Sequence, residues 1–240
     1  MRAFVVCVDY DDYLSKTLPL NRRHFSDYVV VTSNNDTRTQ NVALENGCLV
    51  YKTDLFWSKG ESFNKWAALE AAFNYYGRHG IICVIDADIV LPEKFSPAVS
   101  KNVLYGCRRR IWRDYKGEAI PPSEAWHKFP LHPYIAEIAG YLQLFDSSSG
   151  PCQTLPWYDT NWVHAGGADS FFQARWQNKV FLAEQVLHLG QDGVNWCGRV
   201  VDRIDTAPIS YDKSRLTKLR QLISLRREHG YKHERLSDFQ

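Results

Sequence analysis

The stretch Ile81-Ile82-Cys83-Val84-Ile85-Asp86-Ala87-Asp88-Ile89-Val90-Leu91-Pro92 joins an uncharged apolar run to two carboxylates and then a proline. A continuous apolar run of strand length marks a strand covered on both faces, as in a parallel sheet. Two carboxylates two residues apart on extended backbone point the same way. At a buried strand's tip they repel each other unless a cation joins them. A hard divalent ion whose remaining positions are taken by diphosphate oxygens suits that pair. The bland alternative is a solvated turn at a strand end.

Working outward, three more runs have the same character. Ala3 to Val8 leads into Asp9-Tyr10-Asp11-Asp12, Tyr28 to Thr32 into Ser33-Asn34-Asn35-Asp36, and Leu49 to Lys52 into Thr53-Asp54. Helical patterns lie between them. Trp66, Leu69, Phe73 and Tyr76 follow helical spacing in Ser62 to Tyr76, with Ser62 expected as N-cap and Gly77 as stop. Shorter helices are expected within Leu14 to Phe25 and Asn41 to Asn46. Strand–helix alternation with polar strand ends predicts a doubly wound α/β sheet whose ligand lies beyond the carboxyl ends of the strands.

Past residue 100 the pattern is less regular. Strands are expected over Val103 to Cys107, Gly140 to Phe145 and Val180 to Leu189. Arg108 to Pro133, with Arg108-Arg109-Arg110 and four prolines, reads mostly as loop, as does Ser147 to Pro151. Helices are expected over Asp169 to Trp176 and Asp212 to His229. The second carries Leu216, Leu219, Ile223 and Arg226 along one side and stops at Gly230.

Composition bounds the class. The 240 residues are 45% hydrophobic and 23% charged, which excludes a disordered, collagen-like or coiled-coil chain. No apolar run approaches the ~20 residues of a membrane span. Met1-Arg2-Ala3 leads straight into a strand-like run, so no signal peptide is expected. The cysteines Cys7, Cys48, Cys83, Cys107, Cys152 and Cys197 have no metal or haem spacing and are expected as reduced thiols in a cytoplasm, bacterial or, for a phage-encoded chain, that of the host. The net charge of +2 is uneven, with ten Lys/Arg against six Asp/Glu from Arg199 onward. That basic tail suits an anionic partner or is simply a solvated helix face.

With the Asp86-x-Asp88 strand end, two later stretches carry a resemblance. His164-Ala165-Gly166-Gly167-Ala168-Asp169-Ser170-Phe171-Phe172 looks like a glycine-rich loop and acidic motif opening an acceptor-side helix, and Val186-Leu187-His188-Leu189-Gly190 looks like a C-terminal histidine motif. Across residues 3 to 198 the chain resembles the GT-A glycosyltransferases, especially the family 2-like branch. The resemblance implies a GT-A (Rossmann-like) fold, mostly parallel, with an acceptor-side subregion and a C-terminal helix. It implies one domain, divided into a nucleotide-sugar half (1–100), an acceptor and catalytic half (101–198) and a basic extension (199–240).

By the same resemblance, Asp86 and Asp88 hold Mn²⁺ or Mg²⁺ on the donor diphosphate and His188 is a further ligand; imidazole favours Mn²⁺. Asp169 corresponds to the general base of inverting members, although the family usually has an acid where Ala168 stands. Val8, Asp9 and Tyr10 match the segment that holds base and ribose. Asp9 or Asp54 is a candidate acceptor for the uracil imide proton, Tyr10 for the ring face, Ser33 and Asn34 for the nucleotide, and Lys65 for a phosphate or base edge. Turn chemistry and helix capping are the alternatives for each.

The expected activity is metal-dependent transfer of a hexosyl or pentosyl group from a nucleotide sugar, expected to be a UDP-sugar, to an acceptor hydroxyl with inversion. Trp126, Trp157, Tyr158 and Trp162 stand in the acceptor region with Arg108 to Lys116, and His127, His132 and His164 are further candidates for an acceptor cleft. Lys213, Arg215, Lys218, Arg220, Arg226 and Arg227 follow. A saccharide, a lipid-linked glycan and a hydroxymethylated base in DNA are all compatible acceptors. Two other classes stay open. A nucleotidyltransferase forms a sugar nucleotide but needs a glycine-rich phosphate loop, and Asp9 to Leu20 has no Gly. A non-catalytic nucleotide or nucleic-acid binding module survives loss of Asp169.

Overall fold

The computed structural model describes residues 1–133, 137–205, 213–230 and 234–235. Eight strands form one sheet: β1 (Arg2–Val6), β2 (Asp27–Thr32), β3 (Leu49–Lys52), β4 (Ile81–Asp86), β5 (Ile89–Val90), β6 (Val103–Trp112), β7 (Leu142–Asp146) and β8 (Asn178–Leu189). Their order is β3-β2-β1-β4-β7-β6-β8-β5. The first four positions are mutually parallel, as is the β6–β8 pair, while β7 runs antiparallel to β4 and β6, and β5 to β8. Among the described residues five α-helices accompany them: α1 (Asp11–Asn21), α2 (Thr37–Glu45), α3 (Lys65–Tyr76), α4 (Ala168–Ala174) and α5 (Lys213–His229). This is the α/β class that the apolar runs predict.

Strand alternation divides the core between the two faces of the sheet. Ala3 and Val5 of β1, with Cys7, pack among Leu14 and Leu18 of α1 and Ala43 of α2. Phe4 and Val6, with Val8, pack among Trp66, Leu69 and Phe73 of α3 and Phe172 of α4. Each large apolar side chain buried this way contributes about 1.5–3 kcal/mol. All six cysteines are buried and free.

Several local expectations are corrected. The N-cap of α3 is Asn64, not Ser62; its side chain accepts from Ala67 N at 3.0 Å, and Gly77 ends the helix at φ 89°. Helix α1 begins on the acids that follow β1, and α2 is capped by Asp36, whose side chain accepts from Thr39 N at 3.1 Å. Most consequentially, Arg108 to Trp112 belong to β6 rather than to a loop. Arg109 pairs in register with Val186 and Arg110 with Leu187 of β8, after a bulge at Gly106–Arg108. Three consecutive arginines hide the strand because they break its apolar pattern, yet the ladder holds all three and side-chain partners hold Arg109 and Arg110. Of the expected Asp212–His229 helix, Asp212 and the Lys213 and His229 side chains lie outside the described residues; Leu219 and Leu222 are buried positions on it. Among the described residues no helix is long and apolar enough to cross a membrane.

Candidate active site

Strand β4 ends on Asp86, and Ala87 and Asp88 turn the chain into β5. Helix α1 braces this turn from behind. Thr17 Oγ1 donates to Ala87 O at 2.6 Å, Asn21 Nδ2 donates to Ile89 O at 2.7 Å, and Asn21 Oδ1 accepts from Leu91 N at 2.9 Å. The β5–β8 register sets Ile89 opposite His188, and Leu189 N donates to Asp88 O at 2.9 Å. His188, a hundred residues downstream, is thereby delivered beside Asp88, with Nε2 3.3 Å from Asp88 Oδ2. These groups open onto a cleft of about 350 Å³ at the tips of β1 and β4, walled on the far side by stretches within 139–141, 165–170 and 191–199 and by Arg226 of α5.

The cleft mixes both charges. Lys65, at the first position of α3, donates to Asp86 Oδ1 in a short contact. Burial, opposed by Lys65 and reinforced by Asp88, holds the Asp86 carboxyl above the usual range. Burial also pushes Asp88 upward, but His188 and Arg109 outweigh it and hold that carboxyl below its ordinary value. The Arg109 guanidinium lies 4.4 Å over the Tyr141 ring, with Nη1 3.2 Å from His188 Nδ1 and Nη2 donating to Asp192 Oδ2 at 3.4 Å.

A divalent cation fits this donor set. Tyr10 Oη and Arg109 Nε are buried polar atoms without hydrogen-bond partners on residues that line the cleft; such atoms call for a ligand or water, and the Arg109 N–H calls for an acceptor oxygen, while His188 Nε2 faces Asp88 Oδ2. Two ligand bonds of about 2.1 Å at a right angle set their donor atoms about 3 Å apart, close to the 3.3 Å between Asp88 and His188. Among the described residues no three His, Cys, Asp or Glu side chains gather as a metal cage. Asp88 and His188 are thus spaced as two ligands of one ion would be, and Asp86 beside them is in the hold of Lys65.

Asp169 faces the same cleft from the first turn of α4. Its Oδ1 accepts from Gly167 N at 3.1 Å and its Oδ2 from Gly140 N at 2.6 Å. Both glycines are sterically required. A Cβ at Gly140 would lie 2.9 Å from Asp169 Oδ2, and Gly167 sits at φ 126° against the Trp162 ring.

The structure brings Val8, Tyr10, Lys65, Asp86, Asp88, Asp169 and His188 to one cleft. Asp9, Ser33, Asn34 and Asp54 stand outside its lining. Asp9 occupies φ 55°, its N–H donates to Asp36 Oδ2 at 2.7 Å, and its carboxylate is mostly exposed, 3.9 Å from Arg215. Asp54 accepts from Asn34 Nδ2 at 2.6 Å, and Ser33 O accepts from Gln40. Tyr10 stacks one face on Tyr13, with ring centroids 4.3 Å apart.

The expected acceptor aromatics are corrected. Trp126, Trp157, Tyr158 and Trp162 are at most 3% exposed and belong to the core, where ring packing rather than ligand stacking uses them. His127, His132 and His164 do not line the cleft; they bond Glu124 O, Asp192 and Glu234. Arg109, expected among the acceptor-region cations of Arg108 to Lys116, lines the cleft. Sequence reasoning missed Tyr141, Trp196 and Arg199, which carry no spacing signal because chain segments far apart in sequence bring them in.

No protein-family model matches the chain, and no curated protein matches it by sequence. Solved structures resemble it. Galactosyltransferase LgtC, in complex with donor and acceptor sugar analogs, is 12% identical, with 92% of this chain and 95% of that chain covered and a TM-score of 0.48. Glucosyl-3-phosphoglycerate synthase from Mycobacterium tuberculosis, in complex with Mn²⁺, UDP-glucose and glycerol 3-phosphate, is 15% identical over 45% of this chain and 44% of that chain, with a TM-score of 0.36. A mycobacterial protein is 15% identical over 46% and 41%, with a TM-score of 0.35. The chain spans about two fifths of the length of these mycobacterial structures.

Proposed function

We propose that this protein is a glycosyltransferase that moves a sugar from a UDP-sugar to an acceptor hydroxyl with the help of a divalent cation. The single observation that carries the reading is the meeting of Asp86, Asp88 and His188 at one cleft, with buried polar atoms there lacking partners. In this reading Asp88 and His188 hold Mn²⁺ or Mg²⁺. When bound, such an ion supplies Lewis-acid stabilisation of the diphosphate leaving group.

The chain's own residues do the rest. Asp169, fixed by two backbone N–H groups, takes the proton of the acceptor hydroxyl. The acceptor oxygen then forms its bond to the anomeric carbon while the bond from that carbon to the diphosphate oxygen breaks, with inversion, and the electron pair leaves on UDP. Lys65 and Arg109 place positive charge along the leaving-group side. A guanidinium only donates, so Arg109 at Nδ1 sets the His188 proton on Nε2. Were an ion held there, His188 would present the Nε2 lone pair and Arg109 would keep Asp192 as its partner.

Two features favour transfer over nucleotidyl transfer or simple binding. The first strand feeds directly into α1 with no glycine-rich phosphate loop, and a held carboxylate faces the cleft opposite the strand tips. For the acceptor, Arg109 and Arg110 are committed to internal partners, with Arg110 donating to Gln185 at 2.7 Å, so they form no free polyanion stripe. A saccharide or lipid-linked hydroxyl suits this better than DNA. Titration calorimetry of UDP with and without Mn²⁺ tests the reading. Binding that EDTA abolishes is expected, and metal-independent or absent UDP binding overturns it.

A further inference from the structure

We infer that Glu234 is a positioning residue for the acceptor side of the cleft, acting through His164 on the glycine loop that holds Asp169. The inference rests on the reading of Asp169 as the base. Glu234 is fully buried, in a segment that expectation assigned to a basic extension outside the site. Its backbone oxygen accepts from Val163 N at 3.0 Å. Its Oε1 accepts from Arg226 Nε at 2.6 Å, and its Oε2 accepts from Arg226 Nη2 and lies 3.0 Å from His164 Nε2.

The direction of the relay follows from donor chemistry. Gly166 N–H donates to His164 Nδ1 at 2.9 Å. A backbone N–H cannot accept, so Nδ1 carries the lone pair and the neutral ring bears its proton on Nε2, where the Glu234 carboxylate accepts it. The carboxylate thus fixes both tautomer and ring orientation. The ring fixes Gly166, Gly166 is followed by Gly167, and Gly167 N–H holds Asp169 Oδ1. Arg226 closes the loop, donating to Gly166 O at 3.3 Å while it lies 4.5 Å over the Trp196 ring on the cleft wall. Asp169 has one anchor on this loop and the other on Gly140, so loosening the loop frees half of its support. The strand tips that carry Asp86 and Asp88 are braced separately by Thr17 and Asn21.

That separation sets the test, run on full-length Glu234→Ala and Glu234→Gln. Three readouts are compared with wild type: hydrogen exchange of amides 165–170, UDP affinity with Mn²⁺, and hydrolysis of a panel of UDP-sugars, with water as acceptor. Glu234→Ala is expected to speed exchange by at least about 10-fold and to slow hydrolysis by about 10- to 100-fold, with UDP affinity kept within about two-fold. Glu234→Gln keeps an acceptor for the His164 proton and is expected between wild type and alanine. Wild-type exchange in Glu234→Ala overturns the proposal. So does a fall in UDP affinity in step with hydrolysis, which marks general loosening, or equal damage by glutamine and alanine. If wild type hydrolyses no UDP-sugar and binds no UDP, the parent reading fails instead, and the exchange comparison still decides whether Glu234 orders the loop.

Discussion

The two walls of the cleft are built differently. One is the tip of parallel strands, where Tyr10, Lys65, Asp86 and Asp88 sit at strand ends or helix starts and are braced by neighbouring elements. The other is assembled from segments far apart in the chain. Arg199 reaches back about 190 residues to Asp12, donating to its Oδ2 at 2.8 Å and to Asp9 O at 2.8 Å, and Arg203 makes paired 2.6 Å bonds to Asp11. The first wall draws its rigidity from sheet and core. The second depends on buried ion pairs, which are costly to break on one side because the remaining charge is stranded.

Substitutions can break or sharpen this contrast, beginning with the greatest effect. Asp12→Ala strands the buried Arg199 guanidinium and should cost about 3–5 kcal/mol, read as a lower urea midpoint. A loss below about 1 kcal/mol would mean the second wall is held by packing instead. Asp169→Asn should slow transfer by about 10²–10⁴-fold while UDP affinity stays within about two-fold. Transfer at the wild-type rate would remove it as base. Asp88→Ala should weaken Mn²⁺-dependent UDP binding by at least about 10-fold with little change in the thermal midpoint, because the turn is held by Thr17 and Asn21; unchanged binding would remove Asp88 as a ligand. Asn64→Ala removes the cap of α3 and the bond from its Nδ2 to Thr160 O at 2.8 Å and should cost about 2 kcal/mol, the smaller stability loss of the set. It should leave Mn²⁺ affinity unchanged, and a matching loss there would tie the cap to the site.

The fold was legible where local pattern and burial agree. The runs around Val5, Val30 and Val84 are apolar because both faces of those strands are covered, and with β3, an edge strand whose Leu49 and Lys52 are exposed against expectation, they became the parallel half of the sheet. Legibility failed at Arg108 to Arg110, where side-chain chemistry says surface loop but pairing with β8 makes a strand. It failed again at Trp157 and Trp162, where aromatics suggestive of ligand stacking are core. Of the candidate site, the placement of Asp86 and Asp88 at one cleft was readable from the strand end, although Ala87 and Asp88 form a turn rather than the extended backbone expected.

Composition, the apolar runs and the acids at their ends were enough for the α/β class and for a polar cleft at the strand tips, since those features are set by contacts within a few residues or one strand. The partner of Asp88 was expected only through the resemblance carried by Val186 to Gly190, and the support of Asp169 and the role of the last described residues were not contained in any local pattern. His188 meets Asp88 only through the β5–β8 register, and Glu234 meets His164 only because the chain past α5 returns to the glycine loop. Such contacts depend on which surfaces pack across tens of residues of intervening chain, a choice made by the burial of the whole core rather than by the neighbours of any one residue.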